Sequence, residues 1–214
     1  MTPALLWKVY DVTEATSRVR GSSQAVVEFQ NAYYSASDLQ QFEREYVPAI
    51  MGTDVYTTFG STENAKTSLE ANLDVQYIMG MGNFVNTSIY LQEITTNIED
   101  AFIEYAELAN SQDDPPLVHS ISFGQYGGNY PNRTVQRFKF CLRESRSFSV
   151  QEIYTDNLYV ISLLFICRLN TQFQMMGEKG ISILLASGDN GVGCNRQCTS
   201  FEFDFPSSPY ITMV

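Results

Sequence analysis

Apolar residues fall into two rhythms along this chain: short unbroken runs, and stretches in which they return every three or four positions. Ala25-Val26-Val27-Glu28-Phe29 is a run, and after the polar cluster Ser35 to Asp38 the residues Leu39, Phe42 and Tyr46 recur at helical spacing. A strand and then a capped helix are expected there. Asp54 to Phe59 is rich in strand formers and stops at Gly60. Beyond Thr67-Ser68 the pattern predicts a helix with Leu69, Leu73, Tyr77 and Ile78 as its apolar stripe. Next come a strand at Ser88 to Leu91, a helix capped by Asn97 and carrying Ile98, Phe102, Tyr105 and Leu108, and a strand at Leu117 to Phe123. Gly180 to Ser187 is a continuous apolar run, the mark of a strand buried on both faces. Strands alternating with helices predict an α/β fold, a three-layer domain around a parallel sheet.

The rhythm fails from Phe138 to Cys167, where neither a helical period nor a turn pattern emerges. If Arg137 is joined directly to Leu169, then Val135, Leu169, Phe173 and Met176 fall on one face of an amphipathic helix. The codons permit this. Arg137 as AGG before Phe138 as TTT contains AG|GT, and Phe165 to Arg168 as TTT-ATT-TGC-AGG ends in a pyrimidine-rich tract and CAG. The expectation is one partial domain over residues 1–214 in which 138–167 is a retained intron or an insertion. If it is an intron, Cys141 and Cys167 carry no redox meaning.

A formal net charge of −11 and a pI near 4.4 argue against nucleic acid as a partner and suit work at low pH, where carboxylates are neutralised. The longest strongly apolar stretch, Leu158 to Cys167, is about half of what a membrane span needs, so no membrane is expected as a partner. Met1 to Trp7 lacks the basic start and cleavage site of a signal peptide. Cys194 and Cys198 have no nearby His to complete a zinc site, so a local disulfide or a bond to another cysteine is expected rather than a metal.

Glu70 and Asp74 stand four apart in EANLDVQ, on one helical face, where like charges disfavour the helix unless something uses them. The structural alternative is a capping box, Thr67-Ser68-Leu69-Glu70, with Asp74 on a wet face. Ser187 to Gly193 sits at the carboxyl end of the most buried strand, where open parallel sheets place their sites. Its spacing fits no phosphate-loop pattern, and spacing alone favours a glycine-rich turn with Asp189 solvated.

Four segments, taken in order, carry a resemblance. They are Glu-x-x-Leu-Asp at Glu70 to Asp74, Ser-Ile-Ser-Phe-Gly at Ser120 to Gly124, Ala-Ser-Gly-Asp-x-Gly-Val-Gly at Ala186 to Gly193, and Phe-Pro-Ser-Ser-Pro-Tyr at Phe205 to Tyr210. This series resembles the sedolisins, or serine-carboxyl peptidases, with the lysosomal tripeptidyl peptidases nearest among them. Thr2-Pro3 to Tyr10 and Val27 to Gln30 are similar to the start of their mature catalytic domain. Only Phe138 to Cys167 falls outside the likeness.

The resemblance implies a subtilisin-like fold and an acid peptidase that cleaves peptide or protein substrates, releasing tripeptides from amino termini in a lysosomal or secreted acidic compartment. It implies Glu70 as general base, Asp74 as its proton-sharing partner and Asp189 as a protonated oxyanion donor. At acid pH a histidine base would be protonated, whereas a carboxylate can still accept a proton. The resemblance puts the serine nucleophile in a Gly-Thr-Ser element beyond Val214, together with a calcium-binding loop, and implies a propeptide in the precursor. The chain as it stands is then expected to be inactive. The rival expectation is a noncatalytic domain that binds peptides or partners.

Overall fold

The computed structural model describes residues 1–126, 157–189, 204–205 and 208–214. Helix α1 (Pro3–Val9) leads into β1 (Ser23–Phe29), β2 (Ala32–Tyr33) and α2 (Ala36–Tyr46). Then come β3 (Thr57–Phe59), β4 (Lys66–Thr67), α3 (Leu69–Met81), β5 (Asn86–Gln92) and α4 (Ile98–Ser111). The remaining elements are β6 (Val118–Ile121), β7 (Gln125–Tyr126), α5 (Asn157–Glu178), β8 (Ser182–Leu185), β9 (Asp204–Phe205) and β10 (Thr212–Met213).

Six strands pair in the order β10-β8-β6-β1-β5-β3, and every pair is parallel. The first strand lies inside the sheet. The chain builds outward from it on one side through β3 and β5, then crosses to the other through β6, β8 and β10. That reversal leaves a crevice at the carboxyl ends of β1 and its neighbours, the place where open α/β sheets put their sites.

Two cores flank the sheet, and alternation along β1 feeds both. Val27 and Phe29 join Phe102 and Tyr105 of α4 with Leu169, Phe173 and Met176 of α5, whereas Val26 joins Leu39 and Phe42 of α2 with Val75 and Met79 of α3. This is the expected three-layer α/β arrangement.

Three details depart from the pattern. Leu69 and Leu73 are 90% and 50% exposed, and α3 instead buries Ala71, Val75, Met79 and Gly80. The cause is close packing: a Cβ on Gly80 would lie 3.0 Å from the Phe42 ring and 3.2 Å from Pro3, so the small-residue face is the one that fits. Strand β8 buries Ile183 and Leu185 but exposes Ser182, so it is not buried evenly on both faces. Helix α5 begins at Asn157, inside the stretch where no helix is expected. Its first half, Leu158 to Cys167, is apolar at nearly every position, and such a run carries no amphipathic period to read. Cys167 is disulfide-bonded, while Cys141, Cys194 and Cys198 lie outside the described residues.

Candidate active site

Helix α3 is held at its amino end by three interactions that fix where Glu70 and Asp74 stand. Ser68 is the N-cap, its hydroxyl accepting from the Ala71 amide at 3.0 Å. The Ser68 amide donates to the Tyr33 carbonyl at 3.0 Å, and Asn72 Oδ1 accepts from the Ser35 amide at 2.7 Å. The expected capping box is therefore absent. With Ser68 as cap, Glu70 is the second helical residue rather than the third, and the cap amide it would serve is already bonded. What remains of the structural reading is a first-turn carboxylate favoured by the helix dipole, worth about 0.3–1 kcal/mol.

Asp74 lies one turn on, half-buried, and Glu70 is exposed. A third carboxyl meets them. Glu28, near the end of β1, is 4% exposed, and burial, then Asp74, then Glu70 push it up to about 8. Burial raises Asp74 as well, Glu70 adds to that, and a hydrogen bond from Ser122 opposes it. Strand register explains the meeting. Residues 24 to 26 of β1 pair with 118 to 120 of β6, so continuing the ladder brings Ser122 level with Glu28. Glu28 Oε1 and Asp74 Oδ2 are buried without a hydrogen-bond partner among the described residues. Two such oxygens, in carboxyls that repel each other, are best relieved by protonation.

Glu28 went unassigned in the sequence because it reads as one polar letter in a strand. The signal was there: a carboxylate within Val26-Val27-Glu28-Phe29, in a strand at the centre of the sheet, is costly to bury unless it is protonated or used.

Asp189 stands apart from this cluster in the described structure. It is an exposed turn residue after β8, following Gly188, whose φ of 90° turns the chain. The loop from Asn190 to Gly193 lies outside the described residues. Asp189 nonetheless follows the carboxyl end of β8, a strand that pairs with β6. Among the described residues no group of three or more His, Cys, Asp or Glu side chains could hold a metal ion. No helix there is long and apolar enough to cross a membrane.

Over its whole length the chain resembles sedolisin from Pseudomonas, solved with two molecules of pseudo-iodotyrostatin, at a TM-score of 0.66 and 18% identity, covering 52% of that chain. The fold is thus of the subtilisin-like α/β class. Tripeptidyl-peptidase 1 of Dictyostelium discoideum is 30% identical over 97% of this chain, and that of Mus musculus is 27% identical over all of it. The human protein is 28% identical over the same span. The chain belongs to the sedolisin family, among relatives of tripeptidyl-peptidase 1. It spans 30% and 34% of the Dictyostelium and mouse relatives, about a third of their length. No family model matches.

Proposed function

We propose that this chain supplies the base and the oxyanion donor of an acid serine-carboxyl peptidase that releases tripeptides from peptide amino termini in a lysosomal or secreted acidic compartment. The observation that carries the reading is the carboxyl cluster of Glu28, Asp74 and Glu70 at the reversal point of the sheet. A serine supplied by the continuing chain attacks the scissile carbonyl carbon, and its proton passes to Glu70. Asp74 shares a proton with Glu70, and Glu28 behind it, held neutral by burial, keeps the cluster from carrying three charges. Asp189, when protonated, donates to the carbonyl oxygen as negative charge develops there. Collapse of the intermediate returns the serine proton from Glu70 to the leaving amine.

The reading is tested on the full-length, processed protein by the pH profile of tripeptide release. Wild type should peak in acid and decline toward neutral pH as the cluster loses its protons. Glu70→Gln should fold normally yet lose about 10² to 10⁴ in rate, the usual size of general-base assistance. A folded Glu70→Gln protein with wild-type turnover would refute the assignment and leave Glu70 as a first-turn carboxylate.

A further inference from the structure

After β8 the chain is tied to the strands on either side of it. The Ala186 amide donates to the Ile121 carbonyl of β6 at 3.0 Å, and the Ser187 amide donates to the Val214 carbonyl, just past β10, at 2.7 Å. Among the described residues, the second is the last backbone bond before Gly188, at φ 90°, turns the chain into Asp189. Where Val214 stands therefore sets where the Asp189 turn begins.

Strand β10 is short, pairing with β8 only through Thr212 with Leu184 and Met213 with Leu185. The chain enters it by a tight turn, Ser208 to Ile211, in which Pro209 is the second residue and the Ile211 amide donates to the Ser208 carbonyl at 3.5 Å. Proline presets the shape of such a turn but not its direction. Direction comes from the Ser208 hydroxyl, which accepts from the Tyr210 amide at 3.3 Å and donates to Asn170 Oδ1 at 2.7 Å. Asn170 lies on α5, 8% exposed, next to Leu169 of the core against which Ile211 and Met213 pack. Its Nδ2 is buried with no partner among the described residues. Asparagine is a poor helix former, and a buried amide with an unmet donor costs stability. A leucine would serve the helix and the core better, so the bond to Ser208 is what distinguishes asparagine there.

We propose that Asn170 is a positioning residue of the peptidase: by orienting Ser208 it aims the turn into β10, and through the Val214 carbonyl it fixes the turn that carries Asp189. The effect on rate rests on the reading of Asp189 as oxyanion donor; the effect on the turn does not. An oxyanion donor works only where it is already placed when charge develops. A displacement of about 1 Å can cost on the order of 10² in rate.

The test uses the full-length, processed protein carrying Asn170→Leu, Ser208→Ala, both together, or Asn170→Asp, which keeps an acceptor oxygen for Ser208. Each is assayed well below its unfolding midpoint, so that loss of folded enzyme does not enter the rates. Asn170→Leu and Ser208→Ala should each lower kcat for tripeptide release by about 10- to 100-fold while KM stays within about twofold of wild type. The double variant should be no slower than the slower single one, because both remove the same bond. Asn170→Asp should stay within about threefold of the wild-type kcat. Hydrogen exchange read residue by residue follows the turn itself: the Ser187 amide should lose protection in Asn170→Leu and Ser208→Ala, whereas the Ala186 amide, bonded to β6, should keep it. Unchanged Ser187 exchange, wild-type kcat in Asn170→Leu, losses that add in the double variant, or Asn170→Asp as slow as Asn170→Leu would each overturn the proposal. A wild-type protein that releases no tripeptides would refute the peptidase reading instead, and Ser187 exchange would still decide whether Asn170 holds the turn.

Discussion

Glu28 and His119 are both buried, and they oppose each other in acid. Glu28 is raised from about 4.5 in an unfolded chain to about 8, so its share of stability is fully present below pH 4.5 and is lost as pH rises toward 8. His119 is fully buried, its Nδ1 bonded to the Tyr105 hydroxyl at 2.8 Å and its Nε2 to the Pro116 carbonyl at 2.9 Å, with the Tyr90 ring alongside. Burial lowers it to about 4, so its share is present above pH 6.5 and lost as pH falls through 4. At about 1.4 kcal/mol per pKa unit, each contribution is on the order of a few kcal/mol. Between pH 4.5 and 6.5 the two slopes offset one another. Urea unfolding at pH 4, 5.5, 7 and 8 should therefore show Glu28→Gln with a flatter decline than wild type between 5.5 and 8. His119→Gln should instead gain stability as pH falls from 7 toward 4.5, because the Glu28 slope is then unopposed. An unchanged alkaline slope in Glu28→Gln would mean that Glu28 is already ionised in the native protein. Glu28 is marked in sequence by its place within an apolar run, but the role of His119 is not legible there, because its burial is a property of β6 packed beside β1 and under α4, not of its own segment.

At the level of elements, the order of strands and helices is legible because α2 and α4 repeat their apolar residues at one period and announce their caps, Ser35 and Asn97. Helix α3 is different. It offers two apolar faces, one of leucines and one of small residues, and hydrophobicity alone favours the leucines. The choice is made by α1 and α2, which leave room at Gly80 and none for a branched side chain. The start of α3 is displaced for a similar reason, since the Tyr33 carbonyl at the end of β2 takes the Ser68 amide and makes Ser68 the cap. Ser68→Ala should thus cost about 1 kcal/mol in urea unfolding, against a few tenths for Thr67→Ala. The reverse ranking would restore the capping box and with it the structural reading of Glu70.

For the whole molecule, the open question is what belongs between β7 and the buried part of α5. Leu169, Phe173 and Met176 are 3%, 0% and 0% exposed and close the core against α4, so the helix from Leu169 onward is indispensable. Its upstream turn contributes Arg168, whose guanidinium meets Glu107 Oε1 at 2.6 Å on the surface, a contact worth about 0–1 kcal/mol. Joining Arg137 to Leu169 keeps one arginine beside Glu107 and puts Thr134-Val135-Gln136 where Phe165-Ile166-Cys167 stand, in unchanged helical phase. We propose on that ground that residues 138–167 are a retained intron and that the native chain lacks them. Shortening the connection changes closure entropy by roughly 0.6 kcal/mol for each halving of its length, too little to decide whether the core forms. The chain with Arg137 joined directly to Leu169 should therefore unfold cooperatively, with a midpoint within a few degrees of the longer form or above it. Sequencing transcripts across the joint should find Arg137 codons running into Leu169. Transcripts that always include the segment, peptides from it in the native protein, and a shortened chain that does not unfold cooperatively would together establish it as a genuine part of the domain.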